Sequence, residues 1–128
     1  MGWENVEPKV IRQRLIIEGT TKEVLPSEKI KEYLNKLSKV SGMKTLTEPI
    51  GYDKHPGGGS AFWIHWDSSG AHFYCYARAP NEGYEEELEF PLFTLDTYTC
   101  KPFDIQKVVD FTKEFFNPVN MVWKEIKV

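Results

Sequence analysis

The chain has 128 residues, 41% hydrophobic and 14% aromatic, which is the size and apolar content of one ordinary domain with a proper core. A formal charge of −3, with Lys and Arg spread out and no basic arm or stripe, argues against a phosphate-backbone partner, so no nucleic acid is expected. No apolar run approaches the length of a membrane span, MGWENVEPKV lacks a basic-then-apolar leader, and two cysteines are too few for a secreted disulfide scaffold; a soluble, cytoplasmic protein with no membrane contact is expected.

Residues 1–9 read as a flexible N-terminus and 10–128 as a single domain. In VIRQRLIIEG, Ile11, Leu15 and Ile17 alternate with Arg12 and Arg14, which predicts a first strand. The period then changes. Ile30, Leu34, Leu37 and Val40 fall at helical spacing, with Pro26 and Ser27 at the start and Gly42 suited to the residue just past the end. MKTLTEPIGYD is a weaker strand, followed by the Gly-rich connection KHPGGGS. That connection leads into a strand and lacks a following Lys-Ser/Thr, so it is not a phosphate loop.

The stretch FWIHWDSSGAHFYCYA, Phe62 to Ala77, predicts two aromatic strands joined at Asp67-Ser68-Ser69-Gly70. With Ser68 and Ser69 as central turn residues, His65 faces His72 and Trp63 faces Tyr74. One face of the hairpin then carries Phe62, Ile64, Trp66, Ala71, Phe73 and Cys75, which suits burial under helices. The other carries Trp63, His65, His72, Tyr74, Tyr76 and Arg78, a polar-aromatic set that suits a second subunit or a ligand. His65, His72 and Cys75 are metal-ligand types, but the thiol belongs to the opposite face, so no metal is expected.

Further on, ELEFPLFTLDTYTC has strand composition, with Pro91 pointing to an edge or a bulge. Asp104 caps a helix whose stripe is Ile105, Val108, Val109, Thr112 and Phe116, and Asn117-Pro118 stops it; NMVWKEIKV is a last strand. The order β-α-β-β-β-β-α-β predicts an α+β fold, a two-layer sandwich with two helices on one face of a largely antiparallel sheet. The acidic segment 78–90, with Glu85-Glu86-Glu87, reads as a solvated face or an attractor for a cationic amine.

The acid-Ser corner of a hairpin, followed by a strand ending in LDTYTC, a helix and a final strand, resembles the prokaryotic class of S-adenosylmethionine decarboxylases. In that family the corner is Glu-Ser-His and the later strand ends in a pattern like Asp-Val-Phe-Thr-Cys-Gly. Asp67-Ser68 matches the cleaved bond conservatively, and Asp96, Tyr98, Thr99 and Cys100 match the cysteine motif; Lys101 stands for its glycine and Ser69 for the corner histidine. The family's strand histidine aligns with Tyr74, with His72 two residues away on the same predicted face. The resemblance implies self-cleavage at Asp67-Ser68 that turns Ser68 into a pyruvoyl group, the cofactor to which a substrate amine is joined for loss of carbon dioxide. It further implies Cys100 as proton donor and His72 or Tyr74 as assistant in processing.

Two readings compete. One is a pyruvoyl-dependent decarboxylase of S-adenosylmethionine, or of a related basic amino acid, serving polyamine (spermidine) biosynthesis. The other is an unprocessed, catalytically silent relative that binds a small molecule or a partner subunit. Both expect a homodimer through the polar-aromatic sheet face. Either Ser68 or Ser69 satisfies the sequence as precursor.

Overall fold

Alternation of apolar and polar side chains makes Gln13–Thr20 the strand β1, with Leu15 and Ile17 wholly buried and Arg14 and Glu18 exposed. The computed structural model describes residues 6–53, 59–80 and 85–127. Ile11, expected on the buried side of β1, precedes the strand and is 46% exposed. The Gly-rich segment 54–58 and the centre of the acidic segment, 81–84, lie outside the described residues.

Helix α1, Ser27–Val40, turns Ile30, Tyr33, Leu34, Leu37 and Ser38 inward. Pro26 occupies the N-cap without a side-chain cap, and Ser27 Oγ instead donates to the Asp53 carboxylate. At the other end Gly42 takes φ +73°, a value that a side chain resists. Its N–H donates to the Lys39 carbonyl at 3.1 Å and that of Met43 to the Ser38 carbonyl at 2.8 Å. These paired bonds are a Schellman stop, and they turn Met43 back under the helix, where it is buried.

The weak strand shortens to β2, Ile50–Asp53, with a separate bridge of Thr45 to Trp66. Strands β3, Ser60–Trp66, and β4, Ser69–Tyr76, form the hairpin, and β5 is Leu92–Thr99. Helix α2, Ile105–Phe116, begins at Asp104, whose Oδ1 accepts the Lys107 N–H at 3.1 Å, and ends at Asn117 in the left-handed region. The last strand, β6, is Asn120–Lys127.

All neighbouring strands are antiparallel, in the order β2-β3-β4-β5-β1-β6. The expected α+β architecture of two helices against one antiparallel sheet is therefore present. Pro91 does not make β5 an edge. The proline sits one residue before the strand, so it removes no N–H from the ladder, and its carbonyl accepts the Thr21 N–H at 3.1 Å.

Both helices pack on the sheet face that carries Leu15, Ile17, Phe62, Ile64, Phe73, Phe93 and Leu95. Tyr33 is fully buried at their junction, its hydroxyl 2.7 Å from Thr112 Oγ1 and its ring stacked on Phe111 at 5.4 Å. No layer among the described residues covers the other sheet face. There Ile50, Tyr52, Tyr74, Tyr98, Val122 and Ile126 are each at least 36% exposed. Among the described residues no helix is long and apolar enough to cross a membrane.

Burial pushes the Tyr33 phenol pKa up, with the Thr112 hydrogen bond opposing. Burial also pushes the Cys75 thiol up. Both groups are neutral in the fold and ionise more readily once unfolded. Their contribution is intact below the ordinary thiol and phenol values, about 8.5 and 10, and is lost as pH rises above them. Unfolding free energies from urea titrations are therefore expected to fall from pH 8 to 11, by up to about 1.4 kcal/mol per pH unit for each group. Cys75→Ala and Tyr33→Phe should each flatten part of that slope, and an unchanged slope in both variants would refute the assignment.

Candidate functional site

Antiparallel pairing of Trp66 with Ser69 leaves Asp67 and Ser68 as the two residues of the β3–β4 turn. The register is therefore Trp63 to His72 and His65 to Gly70, offset by two residues from the pairing expected with Ser68 and Ser69 as turn residues. A shift of two leaves every side chain on its expected face. Phe62, Ile64, Trp66, Ala71, Phe73 and Cys75 are buried, and His65, His72 and Tyr74 are exposed. Gly70 is required by close approach, because a Cβ there would stand 2.6 Å from the Ile64 carbonyl oxygen.

The turn is tight enough to distort the residue after it. Ser69 has φ +145°, a value that residues with a side chain rarely adopt. Asp67 is exposed, and its N–H donates to the Lys44 carbonyl at 3.0 Å.

The two serines part company here. Ser69 is exposed, whereas Ser68 is 9% exposed and turned towards the core. Ser68 Oγ contacts Met43 Sδ at 3.2 Å and accepts from Thr99 Oγ1 at 3.1 Å. Because β5 pairs Thr99 with Ser69, the next residue, Cys100, arrives beside the turn. Its N–H donates to the Ser68 carbonyl at 3.2 Å, and its thiol lies 3.5 Å from the same oxygen. Lys101 Nζ meanwhile donates to the Gly42 carbonyl at 3.0 Å, tying the end of β5 to the stop of α1.

Asp67, Ser68 and Cys100 thus converge at one corner. His72 and Tyr74 do not join them. His72 Nδ1 lies 3.1 Å from the Tyr74 hydroxyl on the uncovered face, beside Trp63. That face has a shallow depression of about 540 Å³, bordered by His65, Ser69, His72, Tyr98 and the Arg14–Asp96 pair. Arg14 Nε and Nη2 donate to the two Asp96 oxygens at 2.9 and 2.6 Å, which raises the guanidinium pKa further. Asp96, matched by resemblance to the cysteine motif, is therefore a partner of Arg14 on the opposite side of the sheet from Ser68.

Sequence reasoning missed Met43 and any contact of Thr99 with Ser68. The Gly42 stop was the one signal that bore on Met43, since it fixes where the chain turns back. Of the acidic run, Glu87 pairs with Arg78 at 3.2 Å, and Glu85 and Glu86 are exposed.

The thiols differ sharply. Cys75 is 3% exposed among apolar side chains, and Cys100 is exposed at the corner. Brief iodoacetamide treatment of native protein should alkylate Cys100 well before Cys75, as read by peptide mass spectrometry. Equal or reversed labelling would contradict this geometry.

No family model and no curated protein matches the sequence. Among solved structures the chain is similar to the adenosylmethionine decarboxylase from Aquifex aeolicus VF5. The TM-score is 0.63 at 16% identity, and the likeness covers 91% of this chain and 89% of that one. The two-helix, six-strand architecture is the fold of that protein.

Proposed function

We propose that this chain is a pyruvoyl-dependent amino-acid decarboxylase, self-processed at Asp67-Ser68. Its substrate is S-adenosylmethionine or a related basic amino acid, and its place is in polyamine biosynthesis. The observation that carries this reading is the meeting of Ser68 and Cys100 at a strained turn, on the fold of an adenosylmethionine decarboxylase.

The residues present fit the group. An acid-Ser peptide bond occupies a two-residue turn, the next residue has an unfavourable φ, and a fixed N–H holds the serine carbonyl. When formed from Ser68, a pyruvoyl ketone supplies the electrophilic carbonyl and electron sink that loss of carbon dioxide requires.

The chain's own groups have separable tasks. Ser68 Oγ is the nucleophile towards the Asp67 carbonyl carbon. The Cys100 N–H grips the Ser68 carbonyl, which belongs to the segment that begins at the cut, and so fixes the new terminus. The Cys100 thiol, exposed and beside that same carbonyl, is positioned to return a proton to the substrate. Met43 and the 9% exposure of Ser68 keep bulk water from the hydroxyl, which favours attack by Ser68 over hydrolysis.

A specific observation favours the second reading, an uncut relative that binds a small molecule or a partner subunit. Among the described residues the hydrogen-bonding partners of Ser68 Oγ are Thr99 and Met43, with no imidazole, and His72 is engaged with Tyr74 on the other side of the sheet. Intact mass spectrometry separates the two. Cleavage at Asp67-Ser68 should give two fragments, with the C-terminal one blocked by a carbonyl reactive to hydroxylamine. Ser68→Ala should leave one full-length chain with its fold retained, at a cost on the order of 1 kcal/mol. Full-length wild-type mass after prolonged incubation, without a reactive carbonyl, would sink the decarboxylase reading and leave the second.

The uncovered sheet face supports a homodimer, two sheets stacked face to face, under either reading. Sedimentation should give a dimer at about 10 µM and a monomer for Tyr98→Asp, whose ring is 46% exposed on that face. A wild-type monomer at that concentration would remove the proposal.

A further inference from the structure

The hydrogen of the Ser68 hydroxyl has a poor destination. The Met43 sulfur at 3.2 Å is a weak acceptor, and the only oxygen among the described hydrogen-bonding partners of Ser68 Oγ is Thr99 Oγ1, at 3.1 Å. Thr99 is wholly buried at the end of β5 and is itself held from outside the pair. The Lys101 N–H donates into its Oγ1 at 2.9 Å, and the Lys101 carbonyl lies 3.2 Å from the same atom.

A hydroxyl has one hydrogen and two lone pairs; with the Met43 sulfur a distant and weak acceptor at 3.9 Å, Thr99 has two states in which it donates to an oxygen. In one it donates to Ser68, occupying a lone pair of the would-be nucleophile and leaving the Ser68 hydrogen on sulfur. In the other it donates to the Lys101 carbonyl, and its remaining lone pair takes the Ser68 hydrogen. The second state exchanges an O–H···S contact for an O–H···O bond. It also frees both lone pairs of Ser68 Oγ.

We propose that Thr99 is the positioning residue for chain cleavage, switching Ser68 from a hydrogen-bond acceptor into a donor with its lone pairs free to attack the Asp67 carbonyl. This inference rests on the cleavage reading. In the step it serves, the bond from Ser68 Oγ to the Asp67 carbonyl carbon forms and the bond from that carbon to the Ser68 nitrogen breaks. The hydroxyl hydrogen ends on that nitrogen, giving an ester and a free amine. Elimination then removes the Ser68 α-hydrogen and expels the Asp67 carboxylate. One water hydrolyses the remaining enamine, through its imine form, to the ketone and releases ammonia. Thr99 acts before the elimination, and no oxidant or reductant enters.

The test tracks uncut chain from cell-free synthesis by intact mass over time, for wild type, Thr99→Ser and Thr99→Val. Thr99→Ser keeps the hydroxyl and should cut within about 3-fold of the wild-type rate. Thr99→Val keeps shape and apolar bulk and should cut about 10²-fold more slowly. It should do so without building up ester, detected as hydroxylamine-induced scission at residue 67. Thermal melting checks that each variant is folded, and Thr99→Ala takes the place of the valine variant should that chain not fold. Three outcomes overturn the inference while the cleavage reading stands: wild-type speed in Thr99→Val, equal slowing in Thr99→Ser, or accumulated ester in Thr99→Val, which would put Thr99 in the elimination. Wild-type chain that never cuts overturns both together.

Discussion

Both helices hang on one buried phenol. Tyr33 reaches from α1 to Thr112 of α2 and fills the space between them with a ring that touches Phe73, Phe111, Phe115 and Phe116. Its hydroxyl is satisfied, so the burial of a large polar-tipped ring becomes a gain rather than a cost. Through Phe73 the same cluster rests on β4 and, by the stack of Phe73 on Phe93, on β5. The two strands that deliver Ser68 and Cys100 are thereby indexed to the helices.

That indexing accounts for the corner. Because α1 is fixed by Tyr33 at its centre, the Schellman stop after Val40 sets Met43 down over Ser68. Lys101 returns the tie to Gly42 from the end of β5. Ser68 is held from three directions: its own hairpin, the end of β5 and the end of α1. None of these groups is catalytic by composition. A serine, a threonine, a methionine and a cysteine acquire chemical meaning from the geometry of a two-residue turn and the strain beside it.

Periodicity made the architecture legible, because a change from period 2 to 3.6 is visible at Ile30-Leu34-Leu37 and again at Val108-Val109-Thr112. The faces of the hairpin were legible for the same reason. Its register was not: alternation is blind to a two-residue shift, and both Asp67-Ser68 and Ser68-Ser69 are acceptable turn pairs. Pro91 misled because the residue count alone did not reveal whether the proline or Leu92 opened the strand. At the corner, Asp67, Ser68 and Cys100 were legible through a family resemblance. The meeting of Thr99, Met43 and Ser68 was not, since it joins positions 43, 68 and 99 that only tertiary packing relates.

The strand order β2-β3-β4-β5-β1-β6 decides what becomes of a molecule severed at the β3–β4 turn. The segment before residue 68 owns β1, β2, β3 and α1, and the segment after it owns β4, β5, β6 and α2. These are not two halves lying side by side. Strand β1 is clasped between β5 and β6, both of the other segment, while β3 remains zipped to β4. Each piece keeps only a two-stranded ladder of its own, β2–β3 in one and β4–β5 in the other, and neither can leave without tearing the ladders they share and separating Tyr33 from Thr112. A break there would convert one chain into an interleaved pair of fragments locked by topology, with one loosened turn as the only mechanical change.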